Sequence, residues 1–122
     1  MAEETATTAT LILTSETFEA EVLKFPGVVF VDFAAEWCTP CKVMHPKVEE
    51  LAQKYKDNEN VKVATLDVDE AKEISQNLMV LSIPNFKVFV NGEVDGEQMG
   101  TTTTAELDKL VVAGLEKFAA AK

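Results

Sequence analysis

The stretch AEWCTPCKVMHP, residues 35–46, holds both cysteines of the chain, Cys38 and Cys41, separated only by Thr39 and Pro40. Several chemistries use cysteines at or near this spacing. A structural disulfide stabilises by closing a long loop, so a bridge across two intervening residues would contribute little. A structural zinc site wants four ligands. His45, four residues after Cys41, could supply a third, but there is no second cysteine pair and this single histidine adjoins Pro46. An exposed histidine is the plainer reading. A c-type haem attachment needs histidine directly after the second cysteine, where Lys42 stands. There remains a reversible dithiol–disulfide couple. Residues three apart on a helix bring their Cα atoms within the ~4.4–6.8 Å that a disulfide tolerates, so the pair can open and close with little backbone movement.

Such a couple needs a strand to deliver it and a helix to hold it. Residues 28–34, VVFVDFA, form a nearly continuous apolar run, as expected of a central strand buried on both faces. The run contains one carboxylate, Asp32, and the apolar neighbours on both sides imply that it is buried. A helix is predicted from about residue 38 to 55, with Cys41, Met44, Val48, Leu51, Ala52 and Tyr55 on one face and Pro46 inside the pattern as a kink. Cys38 then stands at the helix start. There it is expected to face solvent and the free N–H groups of the first turn, which favour a thiolate. Cys41, one turn in, is expected to be the more buried sulfur. Cys38 would attack a substrate disulfide and Cys41 would resolve the mixed disulfide. Pro40 is tolerated because first-turn residues have no carbonyl partner to lose.

The remaining elements follow from pattern. Residues 1–9 read as a flexible N-terminal arm and residues 10–122 as one domain. Residues 10–13 suggest a short strand, and Ser15 is placed to cap a helix to about Lys24. Residues 61–68 read as a strand and 70–78 as a short helix. Residues 86–90, Asn91-Gly92 and residues 93–99 carry a hairpin signature. A last helix opens with a capping box, Thr103 to Glu106. The order β-α-β-α-β-α-β-β-α predicts an α/β fold: a central mixed sheet with helices on both faces.

Composition narrows the function classes. Among 122 residues, 21 are acidic and 11 basic, a net charge of −10 that repels phosphate backbones and anionic lipid. Neither a nucleic-acid partner nor a membrane is expected. No apolar run has the length of a membrane span, and the acidic start MAEETATTATLIL lacks the basic region of a signal peptide. A cytoplasmic, monomeric protein is the expectation.

VDFAAEWCTPCK, Pro46 within the following helix, SIPN before a strand and VNGEV in the hairpin resemble the thioredoxin family over roughly residues 10–118. The resemblance implies a thiol–disulfide oxidoreductase that reduces protein disulfides, carries no bound cofactor or metal, and is re-reduced by an NADPH-dependent flavoprotein reductase. It implies a cis Ile83–Pro84 bond beside the cysteines and a buried Asp32 that takes the proton of Cys41. It implies a substrate-docking patch of Trp37, Pro40, Ile83 and Pro84. Thr39, between the thiols, and Gly100, after the last strand where it would allow close approach, are further candidate substrate-binding residues; for Gly100 a bend is the simpler account. The chain departs from the common family pattern at four positions. Thr39 replaces Gly between the thiols, Ala34 replaces Trp, Thr65 replaces the Lys that partners the buried Asp, and Asn85 replaces the Thr after the proline. Thr39 alters the loop that sets redox poise, so a specialised oxidase or isomerase is the alternative within this chemistry. A non-catalytic binding module of the same fold is the alternative outside it.

Overall fold

The computed structural model describes residues 8–121. Most of the expected arm lies outside the described residues. Ala9 at its end is already anchored: its N–H donates to Glu49 Oε2 at 2.7 Å, and Thr10 donates to the other oxygen of that carboxylate through both N–H and hydroxyl.

Five strands form one mixed sheet in the order β1-β3-β2-β4-β5. They are β1 (Leu11–Ile12), β2 (Val28–Ala34), β3 (Val61–Asp67), β4 (Asn85–Val90) and β5 (Glu93–Met99). β3 runs parallel to both β1 and β2, whereas β4 is antiparallel to β2 and to β5. β2 is therefore central, and every one of its seven residues is buried. The pleat divides them between two cores. Val28 and Phe30 pack with Met44, Val48 and Leu51 of α1 (Thr39–Tyr55) and with Leu107 and Val111 of α3 (Thr104–Ala120). Val29, Val31 and Phe33 pack on the opposite face with Val22, Leu66 and Phe89, flanked by Ile74 of α2 (Lys72–Asn77). Asp32 shares the parity of Val28 and Phe30, so it faces α1.

α1 continues through Pro46 because apolar anchors lie on both sides of it: Cys41 and Met44 before, Val48, Leu51 and Ala52 after. The hairpin turns at Asn91 and Gly92, both at positive φ (50° and 86°), as a type I′ turn requires. At Gly92 a side chain would also meet the Leu23 carbonyl oxygen.

Three local expectations are corrected. Residues 15–24 do not form an ordinary α-helix. Glu19–Leu23 is a π-helical turn, closed by Lys24 N–H donating to Glu19 O, and Pro26 ends the segment. The π-turn is entered at Phe18 without a side-chain cap; Thr14 orders the turn before it, its Oγ1 accepting from the N–H groups of Glu16 and Thr17, whereas Ser15 bonds across to Glu70. The capping box of α3 is half formed. Thr103 Oγ1 accepts from Glu106 N–H at 3.1 Å, but the Glu106 carboxylate pairs with Lys109 one turn on.

Candidate active site

β2 ends at Ala34, and three residues later Cys38 caps α1. Its backbone is extended (φ −91°, ψ 106°), its N–H donates to Ala35 O, and its Sγ accepts from Cys41 N–H at 3.2 Å. Thr39 and Pro40 then occupy the first two helical positions, where the missing proline N–H leaves no bond unmade. Cys38 and Cys41 are joined as a disulfide with Cα atoms 5.2 Å apart, inside the range in which the bond closes on an undistorted helix.

The expectation that Cys38 faces solvent is not met in this oxidised form. Cys38 is 4% exposed and Cys41 0%. Both lie in a small cluster with Ala34 and Ala35, closed by Val68 and Ile83. The strand-to-helix turn tucks the capping residue under its neighbours. What remains of the asymmetry is that Cys38 Sγ already sits against a helix-end N–H, while Cys41 is sealed on the core face.

The Ile83–Pro84 peptide bond is cis. Ile83 is half-buried against the cysteines, and Pro84 is buried, so the proline lies beneath the expected docking patch instead of forming part of it. Trp37 is 68% exposed and Pro40 and Thr39 are exposed. Gly100 sits at φ +83° with open space where a Cβ would be, and its N–H donates to Pro84 O at 2.9 Å. Backbone conformation, and not close packing, calls for glycine there.

Two features escaped the sequence reading. The Trp37 indole N–H donates to Asp69 Oδ2 at 2.7 Å, in a turn that Asp67 orders by accepting from the N–H groups of Asp69 and Glu70. Leu81, 86% exposed, and Met99, which accepts from the Ser82 hydroxyl, extend the apolar surface beyond Ile83. The nearest sequence signals were an acidic run and a loop of mixed character, and neither identifies a partner 32 residues away.

Asp32 is fully buried, and neither carboxylate oxygen has a hydrogen-bond partner among the described residues. Desolvation pushes its pKa up to about 7. Thr65 lies opposite on β3, but its hydroxyl donates to the Asp32 backbone carbonyl, not to the carboxylate. Asn85 projects to the other sheet face, where it and the buried Lys87 both donate to Glu97 and hold that carboxyl below its ordinary range.

Among the described residues no cluster of three His, Cys, Asp or Glu side chains is placed to hold a metal ion, and no helix is long and apolar enough to cross a membrane. Two sulfurs able to exchange one bond for two thiols at a helix end define a thiol–disulfide oxidoreductase. Comparison with known proteins places it within that class. The thioredoxin family model matches residues 9–113. The chain is 34% identical to the thioredoxin of Pseudomonas aeruginosa, over 84% of this chain and 94% of that one. It is 43% identical to the thioredoxin of Rickettsia bellii, over 72% and 82% respectively. It is 40% identical to thioredoxin M2, chloroplastic, of Arabidopsis thaliana, over 90% and 60%. The chain belongs to the thioredoxin family.

Proposed function

We propose that this oxidoreductase works mainly as a reductant of protein disulfides, with Cys38 as the attacking thiol. The observation that carries the assignment is the helix cap: Cys38 Sγ accepts the first-turn N–H of Cys41, a position that stabilises a thiolate through both the hydrogen bond and the helix dipole. The Cys38 thiolate attacks one sulfur of a substrate disulfide and displaces the other as a thiolate. Cys41 passes its proton to the Asp32 carboxylate and then attacks Cys38 Sγ, which releases the second substrate thiolate. Two electrons have moved to the substrate, and Cys38–Cys41 is a disulfide. Trp37, Thr39, Pro40, Ile83 and Gly100 border the cysteines as the docking surface, and Pro84 holds Ile83 against them. An NADPH-dependent flavoprotein reductase returns the two electrons.

A reducing, cytoplasmic setting suits a chain whose only two cysteines are the redox pair. The net charge of −10 supports a monomeric state through mutual repulsion. The assignment is tested with Cys38→Ser and Cys41→Ser on insulin as substrate. Cys41→Ser should accumulate mixed disulfides and Cys38→Ser should form none. Mixed disulfides trapped through Cys41 in the Cys38 variant would reverse the roles.

A further inference from the structure

Asp32 lines a cavity of about 500 Å³ that lies between β1, β2, β3 and α1. The same cavity is lined by Thr65, Pro46, Glu49 and His45, and His45 is exposed at its solvent edge. Among the described residues neither the Asp32 carboxylate nor the His45 imidazole has a hydrogen-bond partner, so both are open to a ligand or to water. The lining is mainly apolar, but Asp32, Thr65, Glu49 and His45 supply polar partners, and a space of this size admits water, which needs only ~10–15 Å³. His45 and Thr65 also line the adjoining cavity, with Glu36, Asp67 and Glu70 at its rim.

Every catalytic cycle gives a buried Asp32 a proton that has to leave. Of the titratable groups on the Asp32 cavity, Glu49 is unsuited to carry it. Desolvation favours its protonated form, but hydrogen bonds from Thr10, Ala9 and Gln53 outweigh this and hold it below the ordinary carboxylate range, with both oxygens engaged. Thr65 directs its hydroxyl to a backbone carbonyl. Among the described residues only His45 joins the cavity to solvent with an uncommitted titratable group, and an imidazole accepts a proton at one nitrogen while releasing one from the other. We propose that His45 is a proton-relay residue that carries the Cys41 proton from Asp32 to solvent through this cavity.

The step balances. Cys41 S–H and the Asp32 carboxylate give a thiolate and a carboxylic acid. That acid returns to carboxylate as its proton passes, through water, to neutral His45, and the imidazolium releases it to bulk buffer. The proposal rests on the reading of Asp32 as the base for Cys41, and its test separates the two.

The rate of insulin reduction is measured over many turnovers, each of which requires Asp32 to be deprotonated anew, with dithiothreitol as electron donor at neutral pH in dilute phosphate. The proteins are wild type, His45→Ala, His45→Gln, Asp32→Asn and the Asp32→Asn/His45→Ala pair. A positioned acid–base group contributes on the order of 10²-fold or more, and with water partly substituting, the expected loss in each His45 variant is roughly 5- to 10-fold. Added imidazole, small enough for the cavity, should restore His45→Ala, and removing His45 should cost nothing further in the Asp32→Asn background. His45 variants at the wild-type rate, a loss that imidazole does not rescue, or a full further loss in the Asp32→Asn background would overturn the relay while leaving Asp32 as base. Asp32→Asn at the wild-type rate would overturn both.

Discussion

Asp32→Asn should make the oxidised protein progressively more stable than wild type as pH rises. The carboxyl has an ordinary pKa of 3.8 and one of about 7 in the fold, because burial removes the water that would solvate its charge and no side chain replaces it. Between those values the unfolded chain has released the proton and the folded chain still holds it. The folded state binds more protons, so stability falls with pH across that window and levels off above about pH 7. Each pKa unit corresponds to about 1.4 kcal/mol, so the full loss approaches about 4 kcal/mol. Of this, roughly 3 kcal/mol falls between about pH 5 and pH 8.5, where urea titrations are practicable. Asparagine does not titrate, so the difference between variant and wild type should grow by that amount over the range. Any pH-independent offset from its amide cancels. The oxidised form is used because neither cysteine then titrates. A difference that stays constant from pH 5 to 8.5, or that shrinks, would show that Asp32 has a partner or reaches water.

Gly92→Ala should destabilise by at least about 1 kcal/mol in urea, since its φ is +86° and a Cβ would collide with the Leu23 backbone; an unchanged midpoint would refute the strain. Gly114→Leu should cost about 1–3 kcal/mol or more, because even a Cβ there would approach Val88 to 2.9 Å and Val28 to 3.2 Å; a neutral result would mean that α3 sits further from the sheet. Trp37→Phe and Asp69→Asn should show a coupling of about 0.5–1 kcal/mol in a double-mutant cycle, the value of an exposed hydrogen bond to a carboxylate, and strict additivity would remove the bond.

Much of the scaffold was legible because local chemistry and global fold agree. The apolar continuity of residues 28–34 marked a strand covered on both faces, and β2 is the central strand. The stripe from Cys41 to Ala52 outlasted Pro46, and α1 does too. Asn91-Gly92 specified its own turn. Where two neighbouring residues could do the same task, sequence had no means to choose. Thr14 and Ser15 both carry hydroxyls; Thr14 orders the turn before the π-helix, Ser15 bonds to Glu70, and neither caps Phe18. Glu106 could close the capping box or pair with Lys109, and the ion pair takes it.

What was not legible at the site is what depends on contacts between distant segments. The position of Cys38 at a helix start predicted exposure, yet Ile83, 45 residues on, helps to close over it. The Trp37–Asp69 bond likewise joins two loops that only the pairing of β2 with β3 brings side by side. Asp32 is the sharpest instance. Its burial follows from its own strand, but its lack of a partner follows from Thr65, whose short hydroxyl turns to the backbone and leaves the carboxylate facing a cavity. A longer, cationic side chain at position 65 would reach that space and lower the Asp32 pKa by charge. With threonine there, the carboxyl titrates near neutrality and the space beside it stays open as far as His45. Threonine at position 65 thus leaves the carboxylate that we propose as the proton acceptor for Cys41 facing the space through which we propose that the proton leaves.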